Sequence, residues 1–204
     1  MKKEFSFYEF VGILVPGVTL LFFSEVIIEL VYLKTFLDFS KVGESIVFLI
    51  IAYGFGHILQ ALGNVFENLM WNLLGGMPTQ WLTKTSRFGI TLFDTEQTEK
   101  IKAKIFQHFG EKSGKDYGRD VYNLLSLKDK ITEKRIDVFN ANYSQFRGLT
   151  VTFYTLAAIV WIYLGWKLML VPLCLGLLSN LRMFRFAKIY ATEIFRTYLN
   201  YEEK

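Results

Sequence analysis

Five polar side chains stand in an otherwise apolar stretch, residues 53–72 (YGFGHILQALGNVFENLMWN): His57, Gln60, Asn64, Glu67 and Asn68. At about 100° per residue they fall within a helical arc of roughly 100°, which Tyr53 and Trp71 share. A helix in a bilayer carries such a stripe where it meets protein, water or an ion. Two kinds of chemistry are open to it. One is an aqueous path, with His57 as a group that changes charge near neutral pH. The other is hydrogen bonding between helices, worth ~0.6–2 kcal/mol per contact. Gly56 and Gly63 flank the stripe, and Ala52 with Gly56 forms a small-xxx-small pair. Both features favour close helix packing.

Two further sets of residues are candidates. Glu25 and Glu29 are spaced i,i+4, so they share a face in the outer half of the first apolar segment. They would form a cation-attracting ring in an oligomer, or would simply sit among outer headgroups. Arg147 stands just before the third apolar segment, beside Asn142, Tyr143 and Gln145. From there it is the natural ion-pair partner for Glu67.

Catalytic motifs are thin. No G-x-S-x-G, P-loop or H-E-x-x-H occurs. The closely spaced Arg–His motif of HEPN-type RNases is missing, since the nearest arginine before His108 is Arg87. Two histidines and a single cysteine, Cys174, do not furnish a zinc site or a disulfide framework. No catalytic residue, metal or cofactor is therefore expected. Lys100, Lys102, Lys104 and Lys112 read as a solvated helix face, with acidic lipid or nucleotide as the bolder assignment.

The elements that must hold these residues follow from the hydropathy blocks. The chain is 52% hydrophobic, and the excess is concentrated in four segments. Spans are expected at residues 7–32, 44–74, 149–164 and 168–182. Residues 1–77 form a first transmembrane hairpin, 78–148 a mainly helical insertion, 149–183 a second hairpin and 184–204 an amphipathic tail. Pro16-Gly17 should kink the first span, and Gly75-Gly76-Met77-Pro78 should stop the second helix. Asp94-Thr95-Glu96-Gln97 is an Asp variant of the capping box. Residues 87–93 are compatible with a short strand or an extended loop. Phe5, Phe7, Tyr8 and Phe10 read as an aromatic belt, and residues 38–43 as the outer turn. Of the 23 lysines and arginines, Lys34, Lys41 and Lys167 alone lie in the two short connections. The positive-inside rule then places both termini and the insertion in the cytoplasm. The mixed charge of the insertion argues against direct nucleic-acid binding.

The arrangement F-x-F-Y-E-F-x-G-x-x-x-P-G at residues 5–17, followed by G-H-x-x-Q at residues 56–60, resembles small four-span bacterial membrane proteins of anti-phage defence. The four-span accessory proteins of type VI-B CRISPR loci and the small membrane subunit of the Kiwa system share this layout. The resemblance implies a defence role, in which the membrane protein alters permeability or senses damage and restrains a cytosolic partner.

The expectation is thus an all-α membrane protein of the bacterial inner membrane. It would assemble as a homo-oligomer in the lipid bilayer and act as a channel-like effector. The alternative is a membrane anchor or sensor that binds a cytosolic protein through residues 78–148. A membrane-embedded enzyme ranks last.

Overall fold

The computed structural model describes residues 10–33, 42–84, 86–110, 117–128 and 130–200. The expected aromatic belt before Phe10 and most of the expected outer turn lie outside the described residues. Among the described residues the secondary structure is helical throughout. A π-helical turn, Phe10–Leu14, leads into α1 (Val15–Tyr32). It is followed by α2 (Val42–Leu74), a 3-10 turn (Pro78–Gln80), α3 (Thr95–Phe109), α4 (Tyr117–Lys128), α5 (Lys130–Leu164) and α6 (Trp166–Leu199). Four helical segments are long and apolar enough to cross a membrane: Phe10–Tyr32, Gly43–Leu74, Arg135–Leu164 and Trp166–Leu199.

The boundaries have local causes. Pro16 enters α1 in its first turn, where its fixed φ suits the start of a helix. Gly75 and Gly76 take φ of 89° and 112°, and the Gly76 N–H closes onto the Trp71 carbonyl at 2.8 Å. Asp94 caps α3 by accepting from the Gln97 N–H at 2.7 Å. Residues 87–93 form a loop tied by the Ser86 hydroxyl, which donates to the Ile90 carbonyl at 2.9 Å. The turn between α5 and α6 is reduced to Gly165 at φ 90°, whose N–H reaches the Val160 carbonyl at 3.0 Å. Residues 184–199 depart from the expected layout, since they form no separate tail helix. With no Gly or Pro after Gly176, the helix that begins at Trp166 runs on to Leu199.

The chain divides into two compact units, which differ from the expected segments. Unit 1 comprises residues 1–67 and 141–183. Its apolar core is Leu20, Ile27, Leu59, Val151, Leu156 and Val160. Its helices approach backbone to backbone. A Cβ on Gly17 would lie 1.8 Å from the Ala52 carbonyl oxygen, and one on Gly56 would lie 2.1 Å from that of Ile13. Only glycine permits this contact. A Cβ on Gly148 would likewise meet Pro16 Cγ at 2.7 Å.

Unit 2 comprises residues 68–140 and 184–204 and has a core of its own. Ile101, Ile105, Tyr117, Val121, Leu125, Ile136, Ile194, Phe195 and Tyr198 are buried together there with Leu82. Lys104 Nζ donates to the carbonyls of Tyr198 and Leu199 at 3.0 and 3.2 Å, capping the end of α6. The Trp71, Trp81 and Phe184 rings cluster with centroids 5.8–6.1 Å apart.

Gly56→Val should therefore lower the unfolding free energy in detergent by about 1–3 kcal/mol through overpacking. Gly54→Ala is the matched control, because a Cβ at Gly54 meets nothing within 4 Å. Its stability should stay within about 0.5 kcal/mol of the parent. Denaturant titration of the purified full chain measures both.

Candidate functional site

The polar stripe of α2 divides into two rows. The buried residues of this helix are Phe48, Ala52, Gly56, Leu59, Gln60, Gly63, Glu67 and Trp71. Their spacing of three to four residues defines the packed face. Gln60 and Glu67 belong to that face, with 7% and 8% exposure. His57, Asn64 and Asn68 lie on the adjoining edge and are exposed. Tyr53 is half-buried and sets its ring edge-on to His57, with centroids 4.7 Å apart.

Gln60 is the hub of the buried row. Pro16 has no N–H to give to the Gly12 carbonyl four residues back. Gln60 Nε2 donates to that carbonyl, and also to the Ser144 carbonyl at 3.0 Å. Its Oε1 accepts from Arg147 Nη2 at 2.7 Å, from Arg147 Nε at 3.2 Å and from the Ser144 hydroxyl at 3.2 Å. Both amide donors and both acceptor lone pairs of the side chain are thereby used. Gly148 and Gly63 make room for this, since a Cβ at either would come within 2.9–3.1 Å of Gln60 Nε2 or Arg147 Cγ.

Arg147 links the hub to Glu67. Its Nη1 donates to Glu67 Oε2 in an ion pair whose two side chains are 12% and 11% exposed. Its guanidinium also lies 5.8 Å from the centroid of the Tyr143 ring. Glu67, Gln60, Ser144 and Arg147 thus form one connected network on α2 and α5, reaching the π turn through Gly12.

The remaining candidates are placed elsewhere. Glu25 is half-buried and Glu29 exposed on α1. His108 packs against Phe109 and, edge-on, against Tyr198. Lys100 and Lys102 pair with Glu96 and Glu99 along α3, at 2.5 and 2.9 Å. Lys112 lies outside the described residues. Cys174 is exposed, and no group of three or more metal-ligating side chains occurs among the described residues.

Sequence reasoning did not single out Ser144, Gly12 or Gly148. The signal for Gly12 was present in Pro16, which has no N–H to give to the carbonyl four residues back. The signal for Gly148 was its place inside an apolar helix, where glycine is disfavoured unless something approaches closely.

Compared with protein-family models, curated proteins and solved structures, the chain gives no match, so function is read from this geometry.

The chemical capacity of the network is cohesion between helices. Replacing one member of the ion pair leaves its partner buried and uncompensated, at a cost of about 3–5 kcal/mol. Arg147→Met and Glu67→Met should each destabilise the protein on that scale. The double variant should lose less than the sum of the two, by about 0.5–3 kcal/mol. A double-mutant cycle of unfolding free energies checks this, and simple additivity would contradict the pairing.

Proposed function

We propose that this chain is a multi-pass inner-membrane anchor or sensor, whose helical module binds and regulates a cytosolic partner. The observation that carries the reading is the engagement of the stripe's central groups. Gln60, Glu67, Ser144 and Arg147 satisfy one another. Their chemistry is spent on joining spans, which suits a holder better than a conduit. The separate apolar core of unit 2 supports the second half of the reading, since a module with its own core can present a fixed surface. The uneven distribution of lysine and arginine supports a cytoplasmic location for that module and for both termini.

A second reading keeps a specific observation in its favour. His57 and Asn64 are exposed on a helix long and apolar enough to span a membrane. Polar groups facing hydrocarbon are costly, and subunit contacts or water would relieve them. On this reading copies of the chain assemble around that edge into a channel-like effector, in keeping with the resemblance to defence proteins.

One measurement checks the topology that both readings share, and a second separates them. In a Cys174→Ser background, Asn123→Cys should react with a membrane-impermeant maleimide only after the inner membrane is permeabilised. The protein reconstituted in liposomes should release no trapped potassium or dye above the protein-free background. Release that is abolished by His57→Leu would overturn the anchor reading and establish the effector.

A further inference from the structure

A cleft of about 550 Å³ in unit 2 is lined by Leu92 and by one face of α6: Phe184, Arg185, Lys188, Ile189, Thr192, Glu193 and Arg196. We infer that this cleft binds a phosphate-bearing ligand, with its phosphoryl oxygens held along the polar row that Arg185, Lys188, Thr192 and Arg196 form. The inference stands apart from the anchoring role and does not depend on it.

The charge arrangement is the first argument. At about 100° per residue, Arg185, Lys188, Thr192 and Arg196 fall within roughly 80° of one another, a polar row along α6. The opposite face of the same helix carries Ala187, Ala191, Ile194 and Tyr198, all buried in unit 2. The row is therefore held in place by the core beneath it. An ordinary solvated face mixes its cations with carboxylates. Among the described residues lining this cleft, the one carboxylate is Glu193, and Arg135 already neutralises it in an ion pair. The Glu193 side chain is 17% exposed, drawn back from the cleft's solvent side. Arg135 also extends to the Thr197 hydroxyl at 3.4 Å. The cations at 185, 188 and 196 thus keep an uncancelled field.

The shape and chemistry of the walls are the second argument. A volume of this size matches that of small-molecule sites, about 300–1,000 Å³. Guanidinium and ammonium groups with a hydroxyl are the usual protein ligands of phosphoryl oxygens. Phe184, Ile189 and Leu92 supply an apolar wall for the rest of the ligand. Phe184 is fixed by stacking on Trp71, with ring centroids 5.8 Å apart and planes 28° apart. The site therefore fits a phosphoryl group joined to an apolar or aromatic body.

Two sources have that chemistry: an anionic phospholipid and a free nucleotide. Arg185 follows the apolar run ending at Leu181 by four positions, within reach of a headgroup, and Arg196 follows it by fifteen. The two ends of the row thus favour different sources, and the experiment separates them.

The full chain in neutral detergent is titrated with pyrophosphate and with ATP, reading thermal stability and equilibrium dialysis. In parallel it is incubated with phosphatidylglycerol or phosphatidylcholine, and retained lipid is counted by native mass spectrometry. The wild type should bind the phosphate probes or selectively retain phosphatidylglycerol. Arg185→Gln/Arg196→Gln should weaken that binding at least tenfold. Lys100→Gln, on a helix face outside the cleft, should leave it unchanged. Binding of pyrophosphate and ATP alone assigns a free ligand; retention of phosphatidylglycerol alone assigns lipid. Should the double variant not fold, Lys188→Met takes its place with the same expected direction. No binding by any probe overturns the inference, as does an equal loss in the Lys100→Gln control.

Discussion

A proline that cannot donate a backbone hydrogen bond leaves a carbonyl behind, and in an apolar setting that carbonyl must find another donor. Pro16 has no N–H to offer the Gly12 carbonyl, and the amide of Gln60 donates to it. Most of the order in unit 1 is tied to this exchange. For the Gln60 side chain to reach Gly12, α2 must lie against the start of α1, which it does through Gly17, Ala52 and Gly56. For the other end of the same amide to be satisfied, α5 must bring Ser144 and Arg147 alongside. Gly148 is the residue on α5 small enough to allow Pro16 and Gln60 so close. Apolar side chains such as Leu20, Leu59 and Val151 fill the space around these contacts. In lipid they would gain little by meeting each other rather than acyl chains, so the polar and backbone contacts decide the arrangement.

Unit 2 rests on the more familiar principle of apolar burial. Its core joins the amphipathic helices α3 and α4 to the ends of α5 and α6 through Ile101, Ile105, Val121, Ile136 and Phe195. Polar contacts here join helices at their surfaces, as Arg135 does with Glu193 and Tyr122 with Asp137, and finish helix ends. Lys104 is the clearest example of the latter, placing its ammonium on the final carbonyls of α6 and 5.2 Å from the centroid of the Tyr198 ring. The two units thus differ in what specifies them: donor and acceptor matching in one, and the removal of apolar surface from water in the other.

Much of this was legible in the sequence. Hydropathy located the four long helices, Gly75-Gly76 marked the end of the second and Asp94 the start of α3, because caps and turns depend on local chemistry. The juxtaposition of Glu67 and Arg147 was also within reach, since two opposite charges near neighbouring apolar segments have few other places to go. The division of the stripe was not. Gln60 and Asn64 are one turn apart, and only the direction from which α5 approaches decides that one is buried and the other exposed. Nor could periodicity reveal that residues 184–199 continue the preceding helix. Nothing in Arg182 to Arg185 either breaks or requires a helix, and the burial of Ile194 and Tyr198 settles it.

The π turn at Phe10–Leu14 leads into the first helix. Such a turn is an α-helical turn holding one residue too many. Its surplus is absorbed before Pro16, so the register of every later residue, Gly17 included, is set independently of what precedes the turn. A chain with one residue fewer here would keep the Gly17–Ala52 contact but re-aim Gly12 and Ile13, which sit inside the turn and meet Gln60 and Gly56. The turn's own carbonyls carry contacts to α2, so a change of length is felt here at once, through Gly12 on Gln60 and Ile13 on Gly56.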